Sequence, residues 1–297
     1  MKRYMYFFVI IFSFFICLSW ISPVRAEMIM ELCIGGLSNA PSEEDLERYY
    51  LGVHGPEVVR TSGPWIRRYQ VWLPYVPPDD AVERFGAVRG RYVEMWFGSV
   101  EEYLDRPGMG GGENLFNETP PITNNKGGAV LPWEEENPDI GPDVKRVLVM
   151  VPAKPTETFF NSSPEREDTK FIRWVTAIRY PEGVSVEDGE KWFLEVHARE
   201  AVKQPGLLKF VSYRVMEELS KNKMPWKIDR MWSRINEYWY EDFDAWRKAV
   251  IESPPEYTSP SWGGEYPFVE MRSTFIPYMP YYDFLKGNKG DYVGPPE

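Results

Sequence analysis

The pentapeptide Val196-His197-Ala198-Arg199-Glu200 has a counterpart 143 positions earlier, Val53-His54-Gly55-Pro56-Glu57. His54 and His197 are the only 2 histidines in the chain of 297 residues. Further pairs at the same offset are Ser42 with Ser185, Glu94 with Glu237, Trp96 with Trp239, and Tyr103 with Trp246. Self-similarity at a fixed period is the sequence signature of a repeated structural unit. We therefore interpret the chain as two diverged copies of one module.

Each copy predicts the element order β-α-β-β-α-β. In the first copy the predicted strands are Met28–Leu37, Trp65–Leu73, Val88–Phe97 and Lys145–Pro152, and the helices begin at Ser42 and Ser99. In the second copy they are Phe171–Tyr180, Leu207–Met216, Met231–Tyr240 and Phe268–Ile276, with helices beginning at Ser185 and Asp242. This order is the split βαβ, or ferredoxin-like, motif. The predicted fold class is therefore α+β, with tandem ferredoxin-like βαββαβ repeats.

One face of each predicted sheet has no helix to cover it. Large exposed apolar surfaces are rare on soluble monomers, so each bare face must pack against something. Two such sheets facing each other would close a barrel-like cavity, and a ligand would bind between them. Duplication supplies the second sheet within one chain, and pairing of two chains in a homo-oligomer is the alternative.

The N-terminus is typical of a secretory signal peptide over residues 1–26. Lys2 and Arg3 precede the apolar run Tyr6–Ile21, and Val24-Arg25-Ala26 resembles a small-residue cleavage site. An uncleaved membrane anchor is the alternative, because the apolar run approaches spanning length. Either way we expect the folded part to be exported, to the periplasm or outside the cell.

The remaining chain is predicted to form two domains with a linker between them. The first spans residues 27–156 and contains a long loop at 107–142, which is rich in Gly, Pro and Asn. A polar linker is predicted at 157–169, the second domain at 170–277, and a tail at 278–297 that lies across the surface or a neighbouring subunit. A loop as long as 107–142 is either functional or disordered.

Composition and net charge limit the classes of ligand and partner that the protein is expected to bind. The formal net charge of −11 argues against nucleic acid or an anionic membrane surface as partner. Cys33 is the only cysteine left after cleavage, so no intrachain disulfide can form, and with 2 histidines a protein-built zinc site is not expected. Aromatic residues make up 16% of the chain, which favours an apolar or ring-containing ligand.

Strand alternation places a glutamate and a tryptophan on one face in each copy. Glu94 shares its face with Trp96, and Glu237 shares its face with Trp239. We expect both pairs to point into the cavity, where burial would raise the pKa of the carboxyl group and make it an acid or base. The alternative is a structural glutamate, solvated or paired with an arginine such as Arg68 or Arg234.

The two histidines are candidate general bases. Imidazole is the one side chain whose unperturbed pKa lies near neutrality. Glu57 and Glu200 each follow a histidine by three residues, a spacing that puts both groups on one helix face. The alternative is a structural histidine near a helix C-terminus, stabilised by the helix dipole.

Two short motifs resemble the EthD domain of the dimeric α/β-barrel superfamily. They are the helix ending Tyr50-Leu-Gly-Val-His54-Gly-Pro-Glu and the segment Glu94-Met-Trp96-Phe97-Gly-Ser-Val-Glu. The family forms are His-Ala-Pro after an aromatic helix and Glu-Leu-Trp-Phe-Asp-Ser. The second copy departs from both, because His197-Ala-Arg lacks the proline and Glu237-Tyr-Trp-Tyr-Glu-Asp replaces the second motif.

The resemblance implies βαββαβ units that associate into a dimeric-α/β-barrel-type architecture. The superfamily includes cofactor-independent monooxygenases, isomerases, dehydratases and cyclases that act on small hydrophobic or aromatic molecules. Tandem barrels in it can also hold haem on one proximal histidine, a role for which His197 is the candidate.

The sequence thus predicts an exported protein that binds a small hydrophobic or aromatic molecule between its sheets, without a cofactor. Whether it is an enzyme is left open. If it is, His54 or His197 is the base and Glu94 or Glu237 the partner acid. The predicted ligand-binding residues are Trp96, Trp239, Tyr69 and Tyr50. The alternatives are a haem-binding protein, with His197 as the iron ligand, and a ligand-binding module without catalysis.

Overall fold

The computed structural model describes residues 29–35, 47, 50–62, 64–89, 91–105, 147–162, 171–216, 232–286 and 288–289. The predicted signal peptide, the cap at Ser42 and the loop at 107–142 lie outside the described residues. Within the described residues, no helix is long and apolar enough to cross a membrane.

The described residues of the first half form four strands and three helices. They are β1 (Ile29–Gly35), α1 (Gly55–Ser62), β2 (Ile66–Trp72), α2 (Asp79–Phe85), β3 (Arg91–Phe97), α3 (Val100–Asp105) and β4 (Val147–Asn161). A π-helical turn, Tyr50–His54, leads directly into α1. Helix α2 was not predicted from the sequence.

The second half repeats the order β-α-β-β-α-β, and its described residues show no counterpart of α2. Its elements are β5 (Ile172–Arg179), α4 (Val186–Trp192), α5 (Ala198–Ala201), β6 (Lys209–Val215), β7 (Arg234–Tyr240), α6 (Phe243–Arg247) and β8 (Glu270–Pro277). The π-helical turn Phe193–His197 joins α4 to α5, and a second π-helical turn, Lys248–Glu252, extends α6. Two short strands, β9 (Tyr282–Asp283) and β10 (Asn288–Lys289), follow in the tail.

The predicted helix starts at Ser185 and Asp242 are confirmed. The Ser185 hydroxyl accepts a hydrogen bond from the Asp188 amide at 3.0 Å, and the Asp242 carboxylate accepts one from the Ala245 amide at 2.8 Å. Each bond satisfies one of the amides that the first helical turn leaves without a partner.

The strand order is the same in both halves. The sheet reads β10-β9-β2-β3-β1-β4-β6-β7-β5-β8, so the first half has the order second-third-first-fourth, and so does the second. The named strands pair antiparallel, and β4 pairs with β6 to join the halves. The predicted α+β class, with tandem ferredoxin-like repeats in a dimeric-α/β-barrel-type architecture, is confirmed.

Hydrogen bonds from the segments on either side of α2 to β8 join the first half to the outer edge of the second half. The Tyr75 amide donates to the Phe275 carbonyl at 2.8 Å, and the Val88 amide donates to the Ser273 carbonyl at 2.9 Å. Beyond β8 the chain runs along β2, where the Phe284 amide donates to the Tyr69 carbonyl at 2.9 Å. The described part of the tail therefore packs on its own chain, at the edge of the first half.

Alternation along the strands sorts the core into one inner and two outer layers. The inner layer, between the sheets, contains Trp72, Tyr92, Ala153, Val175, Ala177, Val211, Tyr213, Ile235 and Ile276. The outer layer of the first half contains Tyr69, Val71, Val93, Met95, Phe97 and Phe284. The outer layer of the second half contains Trp174, Trp192, Phe193, Phe210, Tyr238 and Trp246. Each half thus packs its helices on one face and the other half on the opposite face.

Strand β4 is longer than the sequence predicted. The expected strand ended at Pro152 and a linker began at residue 157, but β4 continues to Asn161 and pairs with β6 through Asn161 and Lys209. Register shifts after Pro155 and after Thr158 accommodate the proline, which cannot donate to a ladder. Residues 157–161 are therefore part of the joint between the halves, and not a linker.

Candidate functional site

The guanidinium of Arg173 lies between two buried glutamates, one from each half. Arg173 Nη2 donates to Glu94 Oε1 at 3.0 Å and to Glu237 Oε1 at 2.7 Å. Arg173 Nε donates to Glu237 Oε2 at 3.2 Å. The three residues are 6%, 5% and 1% exposed. Charges this deep are tolerated only when they are paired and hydrogen-bonded, so the triad depends on strands from both halves.

The two glutamates have matched tryptophan donors. Trp96 Nε1 donates to Glu94 Oε2 at 3.2 Å, and Trp239 Nε1 donates to Glu237 Oε2 at 3.2 Å. The expected inward orientation of both Glu-Trp pairs therefore agrees with the structure. The alternative of pairing with an arginine also agrees, but that arginine is Arg173. Of the two named candidates, Arg234 pairs with Glu190 and Glu157 on the other face of the sheet, and Arg68 contacts the ring of Trp96.

Arg173 breaks the symmetry of the two halves. It pairs with Trp239 in the β5–β7 register, whereas Met30 pairs with Trp96 in the equivalent β1–β3 register. One guanidinium therefore serves two carboxylates. Arg173 was not predicted from the sequence, although it is one of only two charged residues in the otherwise apolar strand Phe171–Tyr180, which was a usable signal.

Aromatic rings surround the triad. The Arg173 guanidinium carbon lies 4.9 Å from the ring centroid of Trp72, 5.5 Å from that of Trp239 and 5.8 Å from that of Tyr92. Tyr92 is 0% exposed, and its hydroxyl has no hydrogen-bond partner among the described residues. A buried hydroxyl without a partner costs about 1–3 kcal/mol, so an ordered water or another molecule is expected to satisfy it.

Burial sets the protonation of the triad. It raises the pKa of Glu94, against the attraction of Arg173 and together with the repulsion of Glu237. Burial lowers the pKa of Arg173, but Glu237 and Glu94 outweigh it and raise that pKa above its usual value. Two carboxylates and one guanidinium would leave a net negative charge in a dry interior, which is unfavourable. Protonation of Glu94, which its raised pKa favours, would remove that charge.

His197 lies on the helix side of the second sheet. It is 7% exposed, and its ring centroid lies 5.0 Å from that of Trp192, 5.5 Å from Phe193 and 5.6 Å from Tyr257. Phe193 belongs to the outer layer of the second half, and Glu237 faces the inner layer. The structure therefore does not bring together His197 and Glu237, the base and acid of the sequence hypothesis.

Glu200, the predicted partner of His197, is hydrogen-bonded to Thr258. Its carboxylate accepts hydrogen bonds from the Thr258 amide at 2.9 Å and from the Thr258 hydroxyl at 2.5 Å. His197 Nδ1 is buried and has no hydrogen-bond partner among the described residues. Burial lowers the pKa of His197 to about 4, against the attraction of Glu200. The imidazole is therefore neutral at pH 7.

Both histidines end a π-helical turn of five residues, Tyr50–His54 and Phe193–His197. This rare conformation occurs at the same offset of 143 as the sequence repeat. The matched backbone agrees with the interpretation of two copies. The side chain of His54 lies outside what the structure describes, so its proposed role stays a prediction.

Tyr50 and Tyr69 do not face the space between the sheets, in contrast to the sequence prediction. Their hydroxyls are 3.0 Å apart, and the ring of Tyr69 stacks on that of Phe284 at 4.6 Å. Both residues lie in the outer layer of the first half. The reason is the register shift between Ile66 and Arg68, which sets the faces of β2, with Tyr69 and Val71 toward the helices.

The residues around His197 do not fit haem. A histidine that binds iron almost always donates its second ring nitrogen to a carboxylate, a carbonyl or water. Nδ1 of His197 has no such acceptor among the described residues, and aromatic rings pack around the imidazole. Within the described residues there is also no group of three or more His, Cys, Asp or Glu side chains that could hold a metal ion.

Comparison with known proteins gives weak likenesses only. No protein-family model matches the sequence, and no curated protein matches it. A provisionally assigned monooxygenase from Fusobacterium nucleatum aligns over 92% of this chain and 100% of its own, with 11% identity and a TM-score of 0.39. An anthrone oxidase-like protein aligns over 92% and 98%, with 9% identity and a TM-score of 0.44.

A mutant chlorite dismutase from Candidatus Nitrospira defluvii aligns over 85% of this chain and 92% of its own, with 7% identity and a TM-score of 0.39. Scores and identities this low carry no argument about activity. The fold assignment therefore rests on the strand order and pairing of this chain.

Proposed function

We propose that the protein binds a small aromatic or apolar molecule between its two sheets and transfers protons to and from it through Glu94. The unpartnered hydroxyl of Tyr92, buried beside the Glu94–Arg173–Glu237 triad, carries this proposal. The aromatic rings of Trp72, Trp96 and Trp239 around the triad suit a planar apolar ligand.

Glu94 is the group that moves the proton in this proposal. Its raised pKa favours the protonated acid, which can donate to an oxygen or carbon of the ligand. The carboxylate left behind is stabilised by Arg173 Nη2 at 3.0 Å, and it becomes the acid again by taking a proton from a different atom of the ligand. Arg173 and Glu237 act as positioning residues. Isomerisation and elimination need only such proton transfers, so they are the proposed reaction classes.

The identity of the base differs from the sequence hypothesis. His197 is separated from the triad by the second sheet, so Glu94 replaces it as the acid–base group. The proposal keeps two parts that rest on the sequence alone, namely export to the periplasm or outside the cell and kinship with EthD proteins.

The test uses 2-tetralone, a neutral bicyclic ketone whose α-hydrogens exchange with solvent. Wild-type protein is expected to bind it and to accelerate its deuterium exchange in D2O, followed by NMR. Loss of a general acid–base group costs about 100-fold or more in rate, so Glu94→Gln should abolish most of the acceleration. Glu187→Gln, on an exposed helix position, is the matched control and should exchange at the wild-type rate.

Binding is checked separately by calorimetry. Trp96→Leu should weaken 2-tetralone binding, whereas Trp262→Leu, at a tryptophan on the helix side of the second sheet, should not. Exchange at the buffer rate in wild type, or full exchange in Glu94→Gln, would refute the proposed proton transfer. Equal binding by both tryptophan variants would refute the location between the sheets.

A further inference from the structure

The two Glu-Trp pairs lie at the same end of the barrel. Strands β3, β1, β4, β6 and β7 follow one another in the sheet, and each adjacent pair is antiparallel. Strands β3 and β7 are therefore an even number of steps apart and run in the same direction. Trp96 and Trp239 each stand one residue before the end of these strands. We call this end of the barrel the mouth.

A cation from the neighbouring strand lies over each of these indoles. The guanidinium carbon of Arg68 is 5.4 Å from the ring centroid of Trp96, and Lys209 Nζ is 4.3 Å from that of Trp239. The register makes the two cations equivalent, because Arg68 pairs with Trp96 in β2–β3 and Lys209 pairs with Trp239 in β6–β7. Both halves thus present a basic side chain at the mouth, although the residue type differs.

Neither cation has an ion-pair partner among the described residues, although Glu237 attracts Lys209 electrostatically. Arg173 just inside the mouth, by contrast, has two carboxylate partners. Lys209 is partly buried, and each indole face supplies only a weak contact to its cation. Two unpaired cations at one opening are notable in a chain of net charge −11. They create a local positive field at the entrance to the interior.

We propose that the mouth binds an anionic oxygen group, so that the ligand class is an aromatic acid, with its ring between Trp96 and Trp239 and its carboxylate on Lys209 and Arg68. This inference rests on the proposed function, since it assumes that the ligand occupies the space between the sheets. The ring lies over the triad, and the anion stays at this end of the barrel, away from Glu237. The two indoles hold the ring, and the two cations fix which end of the ligand faces outward.

The test compares two probes of one shape, 2-naphthoate and its neutral analogue 2-naphthamide, by calorimetry on the full chain. Wild type is expected to prefer 2-naphthoate by about tenfold, because hydrogen bonds to charged groups are worth more than neutral ones. Lys209→Met and Arg68→Met should each remove most of that preference and leave 2-naphthamide affinity unchanged. Lys191→Met, on an exposed position of α4, is the matched control and should keep the preference.

The dependence of the binding preference on salt concentration is a second test of the inference. The preference for 2-naphthoate should shrink as ionic strength rises, since Arg68 is exposed to solvent. Equal affinity for both probes in wild type would overturn the aromatic-acid assignment, and so would an unchanged preference in Lys209→Met and Arg68→Met. If 2-naphthamide and 2-tetralone still bound in that case, the proposed function would stand. Failure of both naphthyl probes and of 2-tetralone to bind would overturn the two proposals together.

Discussion

The burial of His197 predicts a measurable dependence of stability on pH. Burial lowers the pKa of this imidazole from 6.5 to about 4. Below pH 6.5 the His197 imidazole is protonated in the unfolded chain, whereas in the folded protein it stays neutral until the pH approaches 4. The free energy of unfolding therefore keeps the full contribution of neutral His197 above pH 6.5, and loses it as the pH falls toward 4.

The size of the effect follows from the shift. One pKa unit corresponds to about 1.4 kcal/mol, so the lowered pKa of His197 implies a loss of about 3 kcal/mol between pH 6.5 and pH 4. His197→Phe removes the titrating group and keeps an aromatic ring among Trp192, Tyr257 and Tyr266. Because all other ionisable groups are common to both proteins, the difference between variant and wild type isolates His197.

The assay is urea unfolding of both proteins at half-unit steps from pH 7.5 to pH 4. The stability of His197→Phe relative to wild type should rise by about 3 kcal/mol across that range. NMR of the wild type should show a neutral His197 ring at pH 5. A difference that stays constant with pH, or a ring that titrates near pH 6.5, would refute the assignment of His197 as a buried neutral side chain.

Two further pairs of substitutions test the packing. Glu237 accepts two of the Arg173 hydrogen bonds and Glu94 accepts one, so Glu237→Gln should cost about 3–5 kcal/mol, as expected when a buried ion pair is broken. Glu94→Gln resembles the protonated acid and should cost about 1 kcal/mol in urea unfolding; equal losses would show that both carboxyls are ionised. A Cβ at Gly55 would stand 2.0 Å from the ring of Phe284, so Gly55→Ala should destabilise by about 1–3 kcal/mol. Gly52 has nothing within 4 Å, so Gly52→Ala should stabilise the helix by up to about 1 kcal/mol, and the reverse ranking in thermal unfolding would contradict the docking of the tail on α1.

The sequence predicted the architecture because its signals are periodic. The offset between His54 and His197 aligns the two halves, and strand alternation put Glu94 and Glu237 on one kind of face. These inferences use only spacing along the chain. The structure adds that both carboxylates meet at one point, which depends on how the halves pack and not on either half alone.

Three features of the structure were not predicted from the sequence, each for a physical reason. Arg173 has no counterpart in the first copy, so a search for repeated residues passes over it. The prolines of β4 suggested an early strand end, but register shifts carry the strand past them. Tyr69 was placed in the cavity, although a shift earlier in β2 fixes its face toward the helices. Each miss involves an irregularity, which periodic reasoning cannot detect.

The single arginine shared by two carboxylates has a consequence for how the halves depend on each other. The first half carries Glu94 but none of its buried cation, which comes from the second half. A polypeptide ending after β4 would therefore either bury Glu94 without a counterion or leave the inner face of its sheet exposed to solvent. The two halves therefore depend on each other. Replacing the second half with a copy of the first would remove the counterion, and replacing the first half with a copy of the second would supply two arginines.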